Sequence, residues 1–160
     1  MTSRWGMSKI AAVSKALDHD VRLCVYDRFV KTGEPPTVRD VAAALGIDEN
    51  DAEASFRRLE ADHVLVLAPG TLNIWMAAPL SASPTAFRVT TPGGAWWGNC
   101  VWDAFGIPAM LGSDAVIATS DPATGEPFEL RVQDGKLDQV EAVAHFAVPA
   151  RRWWDNIGYT

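Results

Sequence analysis

NCVWDAFGIPAMLGSDAVIATSDPATGEPFELRV, residues 99–132, decides how the second half of this chain reads. Apolar residues crowd its first third, and the spacing predicts a helix from Trp97 to Met110. Gly106 and Pro108 should end or bend that helix, because proline supplies no amide donor and clashes with the preceding turn. AVIATS then reads as a strand, DPATGEP as a turn and FELRVQ as an alternating strand. DGK predicts a second turn and VEAVAHFAVP a further strand. Upstream, FRVTTPGG reads as a short strand and turn. Residues 88–160 are therefore expected to be a helix with an antiparallel meander.

Working outward, Ile10, Val13, Leu17, Val21, Cys24 and Val25 recur at three- and four-residue steps, which predicts a helix over 8–31. GEPPT breaks it. Thr37 is placed to cap VRDVAAAL, Gly46 to stop it, and Asp48 to cap a third helix with Ala52, Phe56 and Leu59 on one face. LVLAPGTLNIWMA follows as a hairpin. Residues 1–78 thus form a winged-helix-like, helix-turn-helix lobe, 79–87 a Pro/Ser/Ala-rich linker, and 88–160 the second lobe. The fold class is α+β.

The chain has 160 residues and a formal charge of −6. A chain near this size hides roughly 70% of its unfolded surface, so it needs no disulfide staple. The acidic balance disfavours nucleic acid and anionic lipid, which are held by basic patches. The third helix sharpens the point: Asp48, Glu49, Asp51, Glu53, Glu60 and Asp62 face only Arg57 and Arg58. DNA is not an expected partner, since a recognition helix has to approach phosphates. No apolar run reaches the ~18 residues that span a bilayer, and the N-terminus lacks a signal peptide's apolar stretch. A cytoplasmic protein without a membrane partner is expected. Its two cysteines, Cys24 and Cys100, make neither a disulfide framework nor a zinc signature. Cys24 falls on an apolar stripe and reads as a small core residue.

Cys100 and Asp103 differ. At helical spacing they share a face with Ala104 and Ile107. Apolar burial raises a thiol's pKa, and a nearby carboxylate raises it further. A protease-type nucleophile would want a histidine or a helix N-terminus. His19, His63 and His145 are all distant in sequence, and His145 sits in an apolar run that suits a core histidine. A soft sulfur ligand beside a carboxyl that keeps its proton in an apolar pocket suits an apolar substrate bearing a soft metal. Trp97, Trp102 and Phe105 are candidates to bind it. Trp96, Trp97 and Trp102 cannot all face one side of a helix, so at least one is packing. Trp153 and Trp154 should cover the core or support a homo-oligomer.

The same stretch resembles the core of the alkylmercury (organomercurial) lyase family. The resemblance rests on Cys100, Asp103, Pro108, Ala109, Gly112, Ala123, Thr124, Gly125 and Pro127, and extends over roughly residues 35–155. It implies an N-terminal helix-turn-helix-like lobe that does not read DNA. It also implies protonolysis of a carbon–mercury bond, with Cys100 as the mercury ligand and Asp103 as the proton shuttle. No organic cofactor is implied, mercury being part of substrate or product, and a low-molecular-weight thiol is the implied acceptor. Two departures stand out. The family's second cysteine is absent, and its place falls within or just beyond WWDNIGYT. Asp121, a candidate substrate-binding residue, stands where some members carry a further cysteine. Besides a lyase, the residues admit a family scaffold with a changed small-molecule substrate on which Asp103 acts as acid or base. They also admit a non-catalytic winged-helix regulator that senses a metal or thiol through Cys100, or an interaction module using the tryptophans.

Overall fold

The computed structural model describes residues 4–159, with side chains from residue 14 onward. The chain divides into two compact units, 1–84 and 85–160. In the first, helix α1 (Arg4–Thr32) is followed by α2 (Val38–Leu45) and α3 (Glu49–Ala61). Short strands β1 (Val66–Leu67), β2 (Ile74–Ala77) and β3 (Leu80–Ser81) come next, paired antiparallel in the order β1-β2-β3. In the second unit β4 (Arg88–Thr91) and β5 (Gly94–Gly98) precede helix α4 (Val101–Leu111). Strands β6 (Ala115–Ser120), β7 (Pro127–Gln133) and β8 (Lys136–Leu137) follow, and a 3-10 helix covers Ala150–Asp155. The strand order here is β5-β4-β6-β7-β8, all antiparallel. Helices plus antiparallel sheet make the chain α+β, as its patterning predicts.

Local chemistry explains the helix boundaries of the first unit. Thr37 and Asp40 form a capping box: the Asp40 amide donates to Thr37 Oγ1 at 3.2 Å, and the Thr37 amide donates to Asp40 Oδ2 at 2.9 Å. Gly46 ends α2 at φ 65°, in the left-handed region where a Cβ is costly. Asp48 caps α3 by accepting from the Asn50 amide at 2.8 Å. Val21, Val25 and Phe29 of α1, Val41 of α2, and Ala52 and Phe56 of α3 are fully buried together with Leu65. Cys24 is half-buried on the same helix as the first three. The side chains of Ile10 and Val13 lie outside those described.

A polar clamp closes this core. Ser55 Oγ donates to Asp18 Oδ1 at 2.6 Å, and Arg58 reaches both Asp18 oxygens through Nε and Nη2, the shortest contact being 2.7 Å. Burial pushes the Asp18 carboxyl up, but the hydrogen bonds from Arg58 and Ser55 outweigh it and hold the carboxyl below its usual value. Arg57, the other cation of α3, pairs with Glu53 at 2.8 Å.

Several elements differ from the sequence-based expectation. Trp96 and Trp97 belong to strand β5, not to a helix, and α4 begins only at Val101. The reason is tertiary: β5 pairs with β4 along Arg88↔Trp97 and Val89↔Trp96, and that ladder outweighs the helical reading of an aromatic run. Pro108 does not end α4. The helix runs to Leu111 and stops at Gly112, whose φ is 59°. Residues 79–87 are more than a linker, since they contain β3, with Leu80 and Ser81 buried. VEAVAHFAVP forms no strand: residues 138–149 are irregular, and Val143 is 92% exposed. A strand needs an edge to pair with, and β8, which covers β7, is only two residues long.

The Asp18 clamp carries a pH signature. A carboxyl held low in the folded chain stabilises it above the unfolded value, about 4, and that contribution fades as pH falls through the lowered folded value. Urea unfolding from pH 7 down to pH 2 should show this loss, and Asp18→Asn should lower stability at pH 7 while flattening the acid limb of the curve.

Candidate functional site

The site is built where β5 turns into α4. Gly98 ends β5 buried, and a Cβ added there would lie 2.8 Å from the Ala104 amide nitrogen and 2.9 Å from its Cα. Those are backbone atoms that cannot swing aside, so only glycine lets the strand end meet the first turn of the helix. Ala104 and Ile107, both fully buried, anchor the inner face of α4, which packs on β5 and β4. Burying an Ile107-sized side chain is worth roughly 1.5–3 kcal/mol. Thr85 Oγ1 adds a 2.5 Å hydrogen bond to the Gly98 carbonyl.

Two residues beyond Gly98 stands Cys100, in extended backbone as the N-cap of α4. Its carbonyl accepts the first helical bond, from the Ala104 amide at 2.9 Å. Asp103 is thereby the third helical residue. This is the spacing of a capping box, in which N-cap and third-residue heads meet. The Cys100 thiol donates to Asp103 Oδ2 at 3.8 Å. Both residues are half-buried.

Electrostatics keep both groups protonated more readily than in water. Burial pushes the Cys100 thiol up, and the Asp103 carboxylate adds to this. The amides of Asp103 and Trp102 at the helix start pull the other way, without making a cap hydrogen bond of ordinary geometry, and do not prevail. Burial also pushes the Asp103 carboxyl up, against hydrogen bonds from the side chains of Asn99 and Cys100. Asn99 completes the cluster. It turns toward Asp103, while its Oδ1 is buried with no hydrogen-bond partner among the described residues.

Cys100 lines a cavity of about 230 Å³ together with Phe87, His145, Phe146, Trp153 and Tyr159, among others. The irregular tail forms one wall and is folded on itself. The Phe146 and Trp153 rings lie 5.4 Å apart, and Trp153 Nε1 donates to the Val148 carbonyl at 2.8 Å. His145 is exposed and lines the same cavity as Cys100, where the sequence suggested a core histidine in a strand. Its only signal was being one of three histidines; its place at the cavity depends on residues 138–149, which form no helix or strand. Asn99, next to the cysteine, left no sequence signal at all.

The other expected residues lie elsewhere. Trp97 is on β5 with the Arg88 guanidinium 4.6 Å from its ring centroid, a cation–π contact. Trp102 is 69% exposed on α4. Phe105 lines a separate cavity of about 520 Å³ with Pro108, Gly112 and Leu137. Asp121 accepts from the amides of Ala123 and Thr124 at 2.7 and 2.9 Å, which hold its carboxyl low and shape the DPATGEP turn. None of the four lines the Cys100 cavity. Among the described residues no cluster of three or more His, Cys, Asp or Glu could hold a metal ion.

A half-buried thiol, with a carboxyl held up by burial beside it, lines a small and largely aromatic cavity. The alkylmercury lyase family model, MerB, matches residues 80–160, and the chain belongs to that family. No curated protein matches it. A solved structure described as the mercury-bound form of MerB2 superposes with a TM-score of 0.60 at 21% identity, covering 75% of this chain and 59% of that one. That likeness concerns the fold, and the chain spans 59% of the length of that relative.

Two outcomes test the site. Gly98→Ala should cost about 1–3 kcal/mol in urea unfolding, because the helix start must move. Alkylation of Cys100 by iodoacetamide, followed in a Cys24→Ser background, should rise at higher pH than for an ordinary thiol. Asp103→Asn, which removes the nearby negative charge, should move that midpoint down.

Proposed function

We propose that this chain binds organomercurials through Cys100 and cleaves the carbon–mercury bond by protonolysis, with Asp103 as proton carrier. The observation that carries this reading is the Cys100–Asp103 pair at the start of α4, thiol to carboxylate at 3.8 Å, with Cys100 lining an aromatic cavity. As sulfur bonds mercury, the Asp103 carboxylate takes the thiol proton. Asp103 then returns it to the carbon as the carbon–mercury bond breaks, leaving a hydrocarbon and sulfur-bound mercury. A carboxyl pushed up by burial suits both halves of this relay: it holds a proton in the site and gives it to a carbon that becomes more basic as the bond breaks. A small thiol removes the mercury. The substrates are small organomercurials, in keeping with a cavity of about 230 Å³.

A second reading is supported by one specific feature. Cys100 is the only thiol among the residues lining that cavity. A scaffold with a single thiol could also use Asp103 as acid or base on another small apolar substrate. The regulator reading has less support, since both arginines of α3 are tied to carboxylates, Arg57 to Glu53 and Arg58 to Asp18. Neither is left to neutralise a phosphate. No helix of the described residues is long and apolar enough to cross a membrane.

The protein incubated with phenylmercury and excess small thiol should release benzene, measured by gas chromatography. Cys100→Ser should abolish release and mercury binding together. Asp103→Ala should keep binding and lose release by at least the ~100-fold typical of a missing general acid. Binding through Cys100 with no release from the unaltered protein would move the choice to the second reading.

A further inference from the structure

We infer that the Cys100 cavity selects arylmercury over alkylmercury compounds, with Trp153 as the residue that makes the distinction; the inference rests on the reading of Cys100 as the mercury ligand and Asp103 as the proton carrier. Four of the side chains lining the cavity with Cys100 are aromatic: Phe87, Phe146, Trp153 and Tyr159. Phe87 is tied to the strand end that leads into Cys100, its carbonyl accepting from the Gly98 amide at 3.0 Å. Trp153 is fixed from the 3-10 helix. Its indole N–H is committed to the Val148 carbonyl at 2.8 Å, and its ring lies tilted 41° to that of Phe146, with centroids 5.4 Å apart. These two contacts set the plane of the ring, and Trp153 is half-buried. The neighbouring Trp154 differs, being exposed and absent from the cavity lining. A tryptophan whose polar handle is already satisfied offers a ligand its π surface.

Mercury bound to the Cys100 sulfur carries its organic group into the cavity these rings line. A phenyl group meets aromatic walls edge-to-face or offset-stacked, and one such pair favours it by about 3–10-fold beyond the area it buries. A methyl group makes dispersion contacts only. The preference deepens in the reaction. The Asp103 proton bonds to the carbon that carries mercury, and the electron pair of the carbon–mercury bond stays with that carbon as the hydrocarbon leaves. Mercury remains on the Cys100 sulfur as a cation, balanced by the Asp103 carboxylate, and no oxidant or reductant is involved. With an aryl group the incoming proton puts positive charge on the ring before the bond breaks, and the indole face attracts such a charge best among aromatic side chains. A methyl group has no ring to carry it.

The probes are phenylmercury and methylmercury, each titrated into the full chain in a Cys24→Ser background against a competing small thiol. Benzene and methane release is followed by gas chromatography. Comparing the phenyl-to-methyl ratio between variants cancels the intrinsic strength of the sulfur–mercury bond and the intrinsic reactivity of each carbon. Trp153→Leu should lower the ratio of affinities by about 3–10-fold, and the ratio of kcat/KM at least as far. Methylmercury should change less than about threefold, which also shows that the variant folds. Trp153→Phe, which keeps an aromatic face, should hold the ratio within about twofold of the original. Trp154→Leu should leave it unchanged. An unchanged ratio in Trp153→Leu, or an equal loss of both probes, would overturn the inference while leaving Cys100 as the ligand. Retention of both probes by Cys100→Ser would instead overturn the reading on which it rests. Binding through Cys100 without release would overturn the cleavage step alone and leave the affinity ratio to decide the selection.

Discussion

The whole second unit is organised by one close approach: the backbone of β5 at Gly98 against the first turn of α4 at Ala104. Strand and helix meet with no side chain between them, so the turn linking them is only Asn99 and Cys100. That brevity puts the cysteine at the N-cap, aims Asp103 back at it, and brings Asn99 onto the same carboxyl. The buried Ala104 and Ile107 hold the helix down from inside, and the β4–β5 ladder holds the strand. The chemistry sits on two rigid elements joined at their tightest point, a placement that limits how far the reacting groups can drift.

Comparison within the chain shows what the cysteine changes. Thr37 and Asp40 occupy the same N-cap and third-residue positions, and there the spacing yields a closed box with 2.8 Å between the side-chain oxygens. The result is a carboxylate held low and a helix start whose Thr37 and Asp40 amides both find side-chain acceptors. With Cys100 and Asp103 the larger, weakly bonding sulfur leaves 3.8 Å, the cap is unmade, and burial drives the carboxyl up. The same spacing closes a cap in the first unit and leaves the two heads apart in the second. The difference lies in a soft atom and in partial burial, both of which forgo capping energy of about 1 kcal/mol to leave the heads available.

Legibility followed the range of the interactions. Thr37, Gly46 and Asp48 could be read as caps and stops because each acts within four residues of itself. AVIATS and FELRVQ were legible because the strands are consecutive and joined by a turn that Asp121 shapes on its own amides. Cys100 and Asp103 could be singled out by residue type, but their geometry was misassigned to mid-helix, since nothing local reveals that Gly98 faces a helix backbone. The aromatic run GAWWG carries no period that separates strand from helix. His145 was hidden for the opposite reason. Its neighbours Val143, Phe146 and Val148 imitate a strand, yet the pairing along β7 stops with the two residues of β8, and the segment beyond is irregular.

The raised pKa values of the pair constrain what the site can be. A thiol pushed up by burial is a poor nucleophile at neutral pH toward hard electrophiles such as acyl carbon, which need thiolate in quantity. A sulfur-seeking metal is less demanding, because forming the sulfur–mercury bond itself expels the proton, provided a base stands by to receive it. In the proposed reaction Asp103 is that base, and its own raised affinity for the proton suits it to act as an acid once loaded. Burial thus disfavours covalent acyl chemistry while favouring a proton relay coupled to metal binding.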